Sequence, residues 1–167
     1  MGDYTFEGEA LKPCAGRSPR LLTPMQRALG LLTRREHSRK ELIRKLVIKG
    51  VPADEVEAVV ARLADAGWQD DVRFAESRVR VRIGDGYGPR YIRAELATHG
   101  VDEATIGTAL QVFEDDWARI ACDLVGRRYG DVAANDLALR RKAENLLLRR
   151  GFEPGCIRAA IRRGAED

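Results

Sequence analysis

The chain is short of the residues that build metal and redox sites. Its 167 residues include three cysteines, two histidines and 6% aromatics. Cys14, Cys122 and Cys156 are odd in number and far apart, and no pair has metal-ligand spacing. That argues against a disulfide scaffold or a zinc module. No run reaches 18 apolar residues, so no membrane-spanning helix is expected, and no membrane partner. Met1 to Arg20 holds no apolar stretch like that of a signal peptide, and a reducing cytoplasm is the expected setting. Sustained period-two alternation is missing too, which leaves strands without support.

What the chain does have is a repeat. Gly50, Gly100 and Gly151 stand 50 and 51 residues apart. Each follows a leucine by four positions (Leu46, Leu96, Leu147) and precedes a hydrophobe (Val51, Val101, Phe152). The ladder continues through Val56, Ile106 and Ile157, then Val60, Leu110 and Ile161. A fixed period carrying one apolar pattern signals stacked repeats. The expectation is an all-α, elongated array of three tandem three-helix repeats sharing a continuous core, because each unit alone buries little surface.

The expected boundaries are a flexible N-terminal arm over 1–22, then repeats over 23–70, 71–115 and 116–167. Thr23-Pro24 reads as an N-cap with proline at the first helical position. Ser38 caps a second helix in which Leu42, Ile43, Leu46 and Val47 share a face, and Glu41 and Lys45 are placed to pair along the surface. Gly50 ends that helix, and Pro52 opens the third, which carries Val56, Val59, Val60 and Leu63. The second repeat predicts helices over 71–83, 89–99 and 102–114, with Asp102 as an N-cap. The third predicts 116–128, 135–150 and 154–163. In the helix over 71–83, Val72, Ala75, Val79 and Ile83 form one stripe while Phe74 and Val81 lie nearly opposite, the pattern of a helix sandwiched between neighbours.

Chemistry finds little purchase. The glycine-rich run Gly84 to Pro89 lacks the strand and the lysine-Ser/Thr pair of a nucleotide-binding loop, and is expected to be a structural turn with Tyr87 packed against it. His37 and His99 sit near helix boundaries as capping or solvated groups, with no nucleophile–base companion in sequence. Glu114, Asp115 and Asp116 form a solvated junction between helices. A metal-dependent nuclease or hydrolase built on them ranks last among the readings. Cys122 and Cys156 read as core residues, and Trp68 and Trp117 as packing between repeats. No enzyme and no cofactor is expected.

Charge is more informative. Charged residues make up 33% of the chain, yet its net charge is only +3. Residues 117–167 carry 11 Lys/Arg against 7 Asp/Glu, whereas residues 71–116 carry 6 against 9. The second helix of each repeat presents basic side chains: Lys40, Arg44, Lys45 and Lys49, then Arg90 and Arg93, then Arg141, Lys142 and Arg149 around Asn145. Any one such run reads as a solvated face, but repetition on equivalent helices favours an acidic protein surface or a nucleic-acid backbone as partner. Leu148, off the main apolar side, is a candidate anchor beside them.

The run Asp70-Asp-Val-Arg-Phe74-Ala-Glu, then Gly86-Tyr-Gly-Pro-Arg90-Tyr-Ile-Arg-Ala-Glu95-Leu96 and Gly100-Val101, resembles the central signature of the RecX regulatory family. Ser38-Arg-Lys-Glu-Leu42 and Arg140-Arg-Lys-Ala extend the resemblance over about residues 23–163. It implies tandem three-helix repeats that bind the groove of the RecA–single-stranded DNA filament and restrain its ATPase, strand-exchange and coprotease activities, through blocked extension or disassembly. Weak, salt-sensitive DNA binding is a further implied property, and a RecA-independent DNA-binding module is the alternative. The signature maps onto Arg73, Phe74, Tyr87, Gly88, Pro89, Arg90, Ile92, Glu95 and Leu96. The expected partner- or DNA-binding residues are Arg78, Arg82, Arg90 and Arg93 in the middle and Arg141, Lys142 and Arg149 at the C-terminal end. A monomer is expected.

Overall fold

The computed structural model describes residues 22–130 and 136–163. The expected N-terminal arm falls outside them, apart from Leu22, as does Cys14. Among the described residues the structure is nine α-helices and one 3-10 turn: α1 (Pro24–Leu32), α2 (Arg39–Ile48), α3 (Ala53–Asp65), α4 (Asp71–Gly84), α5 (Pro89–Thr98), α6 (Glu103–Gln111), a turn over Glu114–Asp116, α7 (Trp117–Tyr129), α8 (Leu137–Arg149) and α9 (Pro154–Arg163). No strand occurs among the described residues. Extensive helix packing stays within each consecutive set of three.

The helices start where the sequence offers an acceptor for orphan amides. Thr23 and Gln26 form a capping box, and the Ser38, Asp70, Asp102 and Asp136 side chains each accept from the first turn of their helices. The second helices stop at the periodic glycines, whose φ values of 81, 78 and 82° lie in the left-handed region.

The core departs from the expected continuous one. Units two and three share a single cluster that runs from Phe74 and Val79 through Ile92, Leu96 and Trp117 to Leu147, Phe152 and Ala160. Unit one has its own, built on Ala28, Leu42, Leu46, Val56, Val60 and Leu63. The seam between unit one and unit two is polar instead. Ser38, Arg39 and Lys40 bond to the His99 carbonyl, the Asp71 carboxylate and the Thr98 carbonyl, while Arg73 reaches Glu36.

Helix α4 is not sandwiched. Phe74, Ala75 and Val79 are buried along one broad arc, and Val72 and Val81, at the two edges of that arc, are exposed. Trp117 is buried against Phe113 and Phe152, as expected of packing, whereas Trp68 is 55% exposed. His37 is buried, not solvated. Its Nδ1 faces the Arg35 carbonyl at 2.9 Å, and Lys45 approaches its Nε2 at 3.0 Å. Glu41 is also buried, at 5% side-chain exposure, so its pair with Lys45 is no surface contact. Burial works against the Glu41 carboxylate, but hydrogen bonds from Arg35 and Lys45 outweigh it and hold its pKa at about 2.

Candidate functional site

The repeat period has a spatial consequence: the second helices meet end to end. The N-cap residue of α2, Ser38, donates its hydroxyl to the carbonyl of His99, the C-cap of α5, at 2.9 Å. The N-cap of α5, Gly88, donates its amide to the carbonyl of Arg150, the C-cap of α8, at 2.8 Å. The two contacts join equivalent positions one repeat apart, through a side-chain hydroxyl in the first and a backbone amide in the second. Each joins a helix start, with surplus N–H groups, to a helix end, with surplus carbonyls, so backbone dipoles meet with opposite partial charge.

This arrangement puts three basic residues in equivalent places. Lys40, Arg90 and Arg141, at intervals of 50 and 51, are all exposed. Helix α5 contributes about 15 Å of rise between neighbouring junctions. Lys40 also anchors its unit, since its Nζ lies 3.1 Å from the Thr98 carbonyl. On α8, Lys142, Asn145 and Arg149 are exposed with Arg141, and Leu148 stands 53% exposed beside them. No carboxylate pairs with Arg90, Arg141, Lys142 or Arg149 among the described residues.

The other expected arginines are engaged. Arg78 and Arg82 converge on Glu95, at 2.9 and 2.7 Å, and Arg82 also holds Asp85 at 3.0 Å. Arg78, Arg82 and Glu95 are mostly withdrawn from solvent, and the hydrogen bond from Arg82, working against burial, draws the Glu95 pKa down. Arg93 pairs with Glu103 on α6. The family-signature residues divide likewise. Phe74, Ile92 and Leu96 are buried, and Arg73 ties Glu36 and Asp70 to the carbonyls of Gly67 and Trp68. Sequence spacing missed the Glu95 cluster because its members sit 13 and 17 residues apart, on different helices.

The glycine-rich run is a turn whose amides are already committed. Gly86 bonds to Ile83, Tyr87 to Arg82 and Gly88 to Arg150. None is left to cradle a phosphate. Tyr87 packs in that turn, stacked on Tyr91 with its ring below the Arg150 guanidinium. At the acidic junction Asp116 pairs with Arg119, and no group of three His, Cys, Asp or Glu side chains is placed for a metal among the described residues. Burial pushes the Cys156 thiol up, away from the nucleophilic thiolate.

Comparison with known proteins follows the same threefold division. Models of the first, second and third three-helix domains of RecX match residues 25–63, 70–110 and 114–161. A protein from Xanthomonas axonopodis pv. citri named "Regulatory protein RecX" is 57% identical over 155 residues, covering 93% of this chain and 96% of that protein. Its namesake in Stenotrophomonas maltophilia is 56% identical over 151 residues, covering 90% and 93%. Among solved structures, RecX from Lactobacillus salivarius aligns with a TM-score of 0.74 at 23% identity, covering 86% of this chain and 96% of that one, a likeness of fold. A second, titled "Crystal structure of regulatory protein RecX", aligns at 0.70 with 27% identity, covering 84% and 70%.

Proposed function

Because the chain belongs to the RecX family, with all three of its three-helix domains in order, we propose that it regulates RecA by seating the basic faces of α2, α5 and α8 on the RecA–single-stranded DNA filament. The observation that carries this reading is the equivalence of Lys40, Arg90 and Arg141. Three exposed cations recur at one position on helices joined end to end. A periodic ligand suits a periodic partner. A helical filament offers the same acidic or phosphate group at regular intervals, and three individually weak contacts on a linked scaffold reinforce one another through effective concentration. Bound along the groove, the chain restrains ATP hydrolysis and strand exchange by resisting extension or promoting disassembly. Arg78 and Arg82 serve this role by holding α4 to α5 through Glu95, while Arg90 and the α8 cations make the contact.

The test is RecA ATPase on single-stranded DNA, with this protein titrated against a fixed filament. Inhibition is expected well below one molecule per RecA, at concentrations too low to coat the DNA. Inhibition that appears only as the DNA saturates would replace this reading with a RecA-independent DNA-binding module.

A further inference from the structure

The junction of α5 with α8 gathers aromatic and cationic groups that lie far apart in the chain. Tyr87 and Tyr91 stack with ring centroids 4.2 Å apart and planes 26° from parallel. The Arg150 guanidinium lies 4.3 Å from the Tyr87 ring centre, and that of Arg82 5.4 Å. Tyr87 is therefore the covered member of the stack. Tyr91 is the outer one, with 38% of its surface exposed. Arg90 precedes it in the first turn of α5, and the end of α8, where Arg149 is followed by the C-cap Arg150, meets Tyr91 through the Gly151 backbone. Glu95 and Asp85 neutralise Arg82, and Arg150 donates from Nη1 to the Asp85 carbonyl at 3.0 Å, but the exposed Arg90 and Arg149 have no carboxylate partner among the described residues.

Two features separate this arrangement from packing alone. First, the junction is already locked without Tyr91: the Gly88 and Arg90 amides bond to the Arg150 and Gly151 carbonyls, and Phe152 is 1% exposed. Second, an aromatic that served only the lock would be covered as Phe152 is. A partly open ring backed by a second ring, with the unpaired guanidinium groups of Arg90 and Arg149 on the two helix ends that meet there, matches what one unpaired nucleotide presents: a flat base and flanking phosphates. A duplex fits less well, because its bases already stack on each other.

We infer that Tyr91 is a stacking site for an unpaired base of single-stranded nucleic acid, with Arg90 and Arg149 receiving the neighbouring phosphates and Arg150 holding the backing ring of Tyr87. The inference rests on the filament reading for its biological setting, since the strand inside a RecA filament is single. The site itself requires no RecA.

The test uses the full chain and bare oligonucleotides, so that its failure stays distinct from a failure to inhibit RecA. Fluorescence anisotropy would compare a labelled oligonucleotide of dT with an abasic strand of equal length and charge. Wild-type protein is expected to bind dT at least roughly fivefold more tightly than the abasic strand, the lower end of what one stacked base contributes. Tyr91→Ala should lose that preference and Tyr91→Phe keep it, with melting temperatures followed alongside. A strand carrying iodouracil should photocrosslink to wild-type protein at Tyr91, a readout that needs no variant to fold. Equal affinity for dT and abasic strands, a preference that survives Tyr91→Ala, or crosslinks only elsewhere would each overturn the inference.

Discussion

Gly88 and Gly151 lie backbone against backbone. A Cβ on Gly88 would stand 2.6 Å from the carbonyl carbon of Gly151, and one on Gly151 would stand 2.5 Å from the amide of Tyr91. Neither obstacle is a flexible side chain that yields. The close approach is what lets the start of α5 bond to the end of α8 and the cores of units two and three merge.

Gly50 is the natural control, because it shares the left-handed φ of Gly151 but has nothing within 4 Å of a built Cβ. Gly50→Ala is expected to lose only the conformational strain, about 1–2 kcal/mol. Gly151→Ala should lose that plus the overpacking penalty, about 1–3 kcal/mol more. Gly88→Ala should show the overpacking loss alone. Urea midpoints for the three variants check the order, and equal losses at Gly50 and Gly151 would remove the close contact from the account.

The period of the glycines and the helix caps was legible in the sequence because both are local: a cap is decided within a single turn, and an apolar face within a few. The caps at Thr23, Ser38 and Asp102 and the burial of Ile92 and Leu96 follow from that. The partition of the core was not legible. Leu46 and Leu96 look alike in sequence, and only the packing of neighbouring units decides that one serves an isolated cluster and the other a shared one. The same holds for the arginines. Arg78, Arg82 and Arg90 are equally basic on paper, but Glu95 reaches only the first two.

That difference predicts separable phenotypes. Glu95→Gln leaves the largely withdrawn Arg78 guanidinium without a counter-charge and Arg82 with Asp85 alone, and should destabilise by about 1–3 kcal/mol. Arg82→Ala should be destabilising as well. Arg90→Ala, on an exposed and unpaired side chain, should stay within about 0.5 kcal/mol of wild type. Thermal melts decide this, and loss of stability on removing Arg90 would place it in the fold.

Unit one should be the part that opens first. Its core is separate, its seam to unit two is polar, and the end of α2 is held by Arg27, which donates from Nη1 to the Lys49 carbonyl at 2.8 Å and from Nε to the Leu22 carbonyl at 3.0 Å. Lys49 corresponds to His99 and Arg150, whose carbonyls are satisfied by the neighbouring repeat. Arg27 thus closes the end of the line. Hydrogen exchange is expected to be faster over α1–α3 than over α4–α9, and Arg27→Ala should speed it further in unit one only. Uniform acceleration across all the helices would show that the units unfold together.

Acid should loosen the same unit and its seam. Burial lowers the pKa of both His37 and His99, so each is neutral when folded and binds a proton more readily once unfolded. Their contribution is complete above the ordinary histidine value of about 6.5 and is lost as pH falls through the lowered folded values. Glu41 follows with the same sign, its contribution fading between about 4.5 and about 2. Stability should therefore fall from about pH 7.5 to about pH 5.5, across the histidine range. His37→Gln should flatten that slope, because a glutamine side chain has no proton to gain beside Arg35 and Lys45. Urea titrations at both pH values measure it, and an unchanged slope in the variant would remove His37 from the cause.

The filament reading makes a prediction about number as well as identity. If Lys40, Arg90 and Arg141 act as one multivalent set, each single reversal to glutamate should weaken RecA ATPase inhibition modestly. The triple reversal should weaken it by roughly tenfold or more beyond the strongest single effect, because linked contacts multiply. Salt then identifies what the cations touch. Contacts to phosphate release counterions, so each lost contact should lower the slope of log affinity against log salt by about one unit, less on a single strand. Contacts to carboxylates on RecA should change that slope far less. A triple variant that inhibits as wild type does, with its fold intact, would move the binding face away from the second helices altogether.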